Sequence, residues 1–184
     1  MAAARETLRL DLNAGTSGNV SARLPDGRIV VTPSALPYDD LTPDDLVLVD
    51  LDGTVLAAPH RPSGELALHL ACYRALPGAR AVVHTHPLHA TMFACLGIPV
   101  PAIVDEFALY AGGDVRCADY APSGSERLGA NAVAALGPRA RRCWHTTGWS
   151  RSAATRRTPC TRRWWSSEAR GSCGAPGCWE RRWA

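Results

Sequence analysis

The stretch Ala81-Val82-Val83-His84-Thr85-His86-Pro87 sets two histidines two residues apart behind a short apolar run. Small and β-branched residues favour an extended chain, and proline removes a backbone donor and biases the residue before it away from helix. A strand ending near Pro87 is therefore expected. Alternate side chains of a strand leave on one face. His84 and His86 can thus aim two imidazoles at one cation, which supplies two legs of a tetrahedral zinc site. On spacing alone, two unrelated surface histidines beside a turn is the simpler reading; what tips the balance lies upstream.

The upstream piece, Arg61 to Tyr73, reads as a loop entering a helix. Ser63 is a good N-cap, and Glu65 falls in the first turn, where the helix dipole favours a carboxylate. Leu66, Leu70 and Tyr73 follow at helical spacing. Glu65 needs no chemistry to explain it there. His69 reads as a packed histidine, because an isolated histidine in a helix carries no ligand spacing.

Four motifs stand in order: Gly15-Thr16-Ser17-Gly18-Asn19-Val20-Ser21-Ala22-Arg23, Val31-Thr32-Pro33-Ser34, Pro62-Ser63-Gly64-Glu65 and His84-Thr85-His86. In order and spacing they resemble the class II aldolase/adducin family over most of residues 8–140. The resemblance implies an enzyme with one Zn2+ per subunit that cleaves a fuculose-phosphate-like sugar phosphate between C3 and C4, giving dihydroxyacetone phosphate and an aldehyde. The metal in such enzymes polarises the carbonyl and hydroxyl of the ketose fragment and stabilises an enediolate. By the same resemblance His84 and His86 match zinc ligands. Glu65 matches the catalytic acid/base, which also approaches the metal when substrate is absent. Gly18, Asn19, Ser34, Ser63 and Gly64 match phosphate-binding positions. The family's assembly is a homotetramer with active sites at subunit contacts. Pentulose-phosphate epimerisation and methylthioribulose-phosphate dehydration are rival activities within the family, and a non-catalytic adducin-like interaction module is a rival of another class. Retention of Glu65 with both histidines speaks against that module.

The elements that must hold these residues follow from local signals. Residues 1–12 read as the end of a helix, with Ala2, Ala3, Ala4, Leu8 and Leu12 on a rough face. Gly15 to Gly18 form a loop whose N–H groups and hydroxyls can cradle an anion, although most such loops are simple turns. Strands are expected near Asn19–Leu24, Arg28–Thr32, Leu46–Asp50 and Ala79–His84, with hairpin turns at Asp26-Gly27 and Asp52-Gly53. The acidic run Asp39, Asp40, Asp44, Asp45 reads as solvated loop and helix cap, with Pro43 in the first turn. Helices are expected at 89–96 and from Ser123-Gly124-Ser125-Glu126 through Leu136, with 99–104 extended and His89 facing solvent. Asp105 and Glu106 fall where the family has active-site loop residues. The fold class is α/β: a mixed, largely antiparallel central sheet flanked by helices.

The chain has 184 residues, enough for one domain with a sizeable core. Its formal charge of +3 averages two unlike parts. Residues 1–140 hold 10 Arg against 15 acids, a net −5, whereas 141–184 hold 10 Arg against 2 Glu, a net +8. The sequence has no secretory h-region or transmembrane run, so a cytoplasmic protein without a membrane partner is expected. Its seven cysteines show no secreted-scaffold pattern, and reduced thiols are the default.

From Arg141 onward there is no Leu, Ile, Val, Met or Phe, yet all six tryptophans and four cysteines are here. A nucleic-acid tail would use Arg with Trp, and a metal cluster would use the cysteines. The segment has neither Cys-x-x-Cys spacing nor a helical or strand period, and no nucleic-acid partner is assigned. A shift of reading frame accounts for it. The total absence of Lys suggests a GC-rich gene. Borrowing one base from the preceding codon turns Cys143–Ser150 into Val-Leu-Ala-His-His-Gly-Leu-Val, followed by an amphipathic helical sequence. That restores the family's His-Gly segment, whose histidine is the third zinc ligand; in this chain Thr147 holds the place. The domain expected is therefore 1–140, with 141–184 an out-of-frame, disordered tail, weakened metal binding and little or no turnover.

Overall fold

The computed structural model describes residues 1–136 and the backbone of two strands at 143–145 and 148–152. Helix α1 (Ala2–Arg9) precedes a meander of β1 (Asn19–Arg23), β2 (Ile29–Val31), β3 (Val47–Val49) and β4 (Val55–Ala57). Helix α2 (Leu66–Ala75) leads into β5 (Ala81–Thr85). Then follow α3 (Leu88–Cys95), α4 (Asp105–Ala111), α5 (Glu126–Leu136), β6 (Cys143–His145) and β7 (Gly148–Ser152). The strands form one sheet in the order β4-β3-β2-β1-β5-β7-β6, antiparallel at every pairing. The α/β expectation holds.

Register decides what each face carries. In β1 and β5, Ser21 lies opposite Val82 and Asn19 opposite His84, so these four side chains share a face. Helix α2 covers that face. There Ile29, Val31, Val47, Val49 and Val82 meet Leu68, Leu70, Cys72 and Tyr73, with Ala132 and Leu136 of α5 behind. Each fully buried branched side chain is worth about 1.5–3 kcal/mol. Asn19 and Ser21 are the exceptions, polar and buried in the same layer. A buried polar group is costly without hydrogen bonds, so something must satisfy them.

Helix α5 reaches α2 through a glycine. A Cβ at Gly129 would lie 2.7 Å from Ala71 Cβ and 3.1 Å from the Ala67 carbonyl oxygen. Alanine gains up to about 1 kcal/mol of helix propensity over glycine, but overpacking a close helix contact costs about 1–3 kcal/mol. Gly129→Ala is therefore expected to lower stability, read as a reduced urea midpoint with unchanged slope.

Three local expectations are revised. Helix α2 starts after Glu65 rather than at Ser63; the Ser63 hydroxyl instead accepts the Glu65 N–H at 3.2 Å and closes a bend before the helix. Asp105 and Glu106 are the first turn of α4, not a loop. Carboxylates suit that helix end, Gly112 in the left-handed region (φ 75°) ends the helix, and Phe107 and Ala111 pack on Ala90, Val100 and Val115. Third, the segment after 141 is not wholly without structure, because β7 pairs with β5 from Val82↔Ser152 to Thr85↔Trp149. Ladder bonds use backbone groups that every residue carries, and they satisfy the open edge of β5 whatever the side chains. Thr147 and the rest of the tail lie outside the described residues. No helix among the described residues is long and apolar enough to cross a membrane.

Candidate metal centre

Strand β5 delivers His84 from its buried face, and His86 follows just past its end. The His86 N–H donates to the Leu12 carbonyl at 2.9 Å and to Asn13 Oδ1 at 3.0 Å, which ties the strand end to the loop before β1. Gly18 makes room for that tie: its φ of +76° suits glycine, and a Cβ there would collide with the Asn13 amide. Glu65 arrives from the other side, at the N-terminal end of α2.

The three side chains converge. His84 Nε2 lies 2.7 Å from His86 Nε2 and 2.9 Å from Glu65 Oε2. The two rings stand nearly perpendicular, at 88°. His84 and Glu65 are buried and His86 half-buried. Among the described residues, Glu65, His84 and His86 form a group whose ligand atoms all lie within 4.8 Å of one another.

Two more groups grip the carboxylate. Asn19 Nδ2 donates to Glu65 Oε2 at 3.0 Å, and Ser123 Oγ donates to Oε1 at 2.9 Å. Burial alone would raise the Glu65 carboxyl. Hydrogen bonding and charge attraction from His84, with the bonds from Asn19 and Ser123, outweigh burial and hold it well below the usual carboxylate range. Burial, then the neighbouring His84, pushes His86 down and favours its neutral form. An ionised carboxylate beside two imidazoles, with His86 held towards its neutral form, is a donor set suited to a borderline divalent cation such as zinc. The residues present fit the group.

The candidate phosphate positions are arranged as follows. Ser63 and Gly64 immediately precede Glu65, and Ser63 is buried while Ser34 is exposed. Backbone bonds join the two segments: Ser63 N–H donates to the Thr32 carbonyl at 3.2 Å, and Ser34 N–H to the Arg61 carbonyl at 3.0 Å. The Gly18 carbonyl accepts from Tyr38 OH at 2.8 Å. Asn19 spends both ends of its amide on Glu65 and His69 in this structure.

Ser123 was not legible as a site residue. It lies 58 positions from Glu65 in a segment that reads as a helix start. Gly124, with φ +79°, brings that turn against the Gly64 carbonyl, where a Cβ would lie 2.7 Å away. His89 is exposed, as expected.

His69 is fully buried, and burial pulls its ring down to about 3. The unfolded chain returns it to the ordinary value near 6.5. Between these values the unfolded state binds one proton more, so stability rises with pH there and is fully present above about pH 6.5. It is lost as pH falls towards 3, at up to ~1.4 kcal/mol per pH unit from this group. Urea midpoints at pH 4, 5 and 7 check this, with a His69→Gln variant expected to show a flatter dependence.

A buried carboxylate and two histidines at the end of a central strand define a candidate metal-dependent enzyme centre. The profile of the Class II Aldolase and Adducin N-terminal domain matches residues 1–146, and the chain belongs to that family. It is 42% identical over 134 residues to a 5-methylthioribulose-1-phosphate/5-deoxyribulose-1-phosphate aldolase of Rhodospirillum rubrum, covering 73% of this chain and 60% of that protein. An L-ribulose-5-phosphate 4-epimerase of Salmonella paratyphi B is 43% identical over 110 residues, covering 59% of this chain and 48% of the relative. The solved structure of an L-fuculose 1-phosphate aldolase superposes with TM-score 0.76 at 32% identity, over 82% of this chain and 71% of that one. The chain thus spans about 60% or less of the length of these curated relatives.

Proposed function

We propose that this chain carries the centre of a zinc-dependent aldolase that cleaves a phosphorylated sugar to dihydroxyacetone phosphate and an aldehyde. The observation that carries this is the convergence of Glu65, His84 and His86, whose ligand atoms all lie within 4.8 Å of one another. His84 and His86 would hold one Zn2+ per subunit, joined by Glu65 while substrate is absent. When bound, zinc supplies a Lewis acid that polarises the substrate carbonyl.

The rest is the work of side chains. Glu65, ionised at neutral pH, takes the proton from the substrate hydroxyl at the carbon that becomes the aldehyde; the bond from that carbon to the ketose fragment breaks with its electron pair left on the fragment, and the same carboxyl returns the proton to the carbon that lost the bond. Asn19 and Ser123 orient that carboxylate, so little reorganisation is needed when the proton moves. Backbone N–H groups and hydroxyls at Gly18, Asn19, Ser34, Ser63 and Gly64 would receive the phosphate.

A catalytic zinc has three protein ligands and an open position. With Thr147 at the third histidine's place, metal binding is weak and turnover low in the chain as given, and residues 141–184 are read as out of frame. Epimerisation of a pentulose phosphate is the second reading, supported by the epimerase relative at 43% identity. A homotetramer in the cytoplasm is part of the proposal. The exposed apolar side chains Leu88, Leu96, Ile103 and Leu109 on and between α3 and α4 support the assembly, not the location.

The test is an assay of dihydroxyacetone phosphate release from a panel of ketose 1-phosphates, with zinc added, on this chain and on a frame-restored version. Release by the restored chain supports the reading. Zinc binding without turnover on any sugar phosphate favours an interaction module.

A further inference from the structure

The buried polar pair of β1 is satisfied by a residue outside the catalytic set. His69, one turn beyond Glu65 on α2, faces Asn19 Oδ1 through Nε2 and Ser21 Oγ through Nδ1, the latter at 2.6 Å. Ser21 Oγ in turn lies 2.9 Å from Tyr73 OH. All four side chains belong to β1 or α2, and their line ends on Glu65 through the Asn19 amide.

We propose that His69 is a positioning residue that fixes, through Asn19, which end of that amide meets the Glu65 carboxylate. A carboxylate only accepts, so the Asn19 group facing it at 3.0 Å is the NH2. The Asn19 carbonyl oxygen then faces His69 and also only accepts. His69 Nε2 must therefore carry the proton. Burial keeps the ring neutral, so Nδ1 is bare and accepts from the Ser21 hydroxyl. Ser21 then accepts from Tyr73, whose burial keeps its own proton on. The reverse orientation would set the Asn19 carbonyl oxygen against the carboxylate and forfeit the bond. Every bond in the line thus has one direction, dictated from the Glu65 end.

Without the Nε2–H, only the Glu65 carboxylate prefers this amide orientation, the buried Asn19 carbonyl oxygen is left without its donor, and the hold of Asn19 on Glu65 weakens. This role rests on the metal-centre reading for its consequence but not for its geometry. Outer-shell partners of metal ligands typically contribute 10–100-fold in metal affinity.

Two measurements on the full chain test it. Nitrogen NMR of the histidine rings in the zinc-free chain is expected to find His69 as the Nε2–H tautomer, with Nδ1 unprotonated. An Nδ1–H tautomer overturns the proposal, and this arm decides it even if the native chain binds no zinc, an outcome that would sink the metal reading alone. In zinc titrations, His69→Leu is expected to weaken affinity 10–100-fold, while His69→Gln, which keeps a donor towards Asn19, recovers most of it. A merely space-filling role leaves His69→Leu unchanged in affinity, which also overturns the proposal. Equal losses in the two variants do the same.

Discussion

Read in the frame that yields Val-Leu-Ala-His-His-Gly-Leu-Val after residue 142, the chain is expected to bind zinc far more tightly than it does as given. A replaced outer-shell partner already costs 10–100-fold in affinity, and a missing ligand costs at least that. Dihydroxyacetone phosphate release is expected to appear in the restored chain and to be weak or absent in the given one. The borrowed base returns the missing imidazole, and it also turns a segment without Leu, Ile, Val, Met or Phe into an apolar strand and an amphipathic helix. Sequencing the gene across codons 138–146 checks the premise, since clean reads in the given frame end it. Calorimetric zinc titration of both versions checks the consequence, and equal affinities would contradict it.

Glu65→Gln in the restored chain is expected to cut turnover by about 10²–10⁴-fold, the usual contribution of a positioned proton-transfer group. Glutamine keeps the shape and can still meet Ser123, but it has no carboxylate to take a proton. Loss confined to kcat, with KM nearly unchanged, assigns Glu65 to the chemical step. A rise in KM alone would make it a binding group and contradict the proton-transfer role.

Much of this was readable in the sequence because the signals are local. Pro87 and the β-branched run mark the end of β5, and the i, i+2 spacing places His84 and His86 together. The hairpin at Asp26-Gly27 also follows from near neighbours. Contacts between distant segments were invisible. His69 reads as a packed histidine because its partners Asn19 and Ser21 lie 50 and 48 residues back, on a strand whose register no helix pattern reveals. Ser123 meets Glu65 only because Gly124 allows its turn to approach Gly64. Helix α4 was missed because a proline-rich lead and the Gly112-Gly113 turn leave too few residues between them for a period to show. The pairing of β7 with β5 rests on backbone bonds, so side-chain composition carried no hint of it.

The most direct test of the central claim is zinc stoichiometry by equilibrium dialysis on the native chain, His84→Ala and His86→Ala. One zinc per native chain is expected at saturating metal, and none in either variant. Zinc retained in full by both variants, held by the tail cysteines for example, would contradict it.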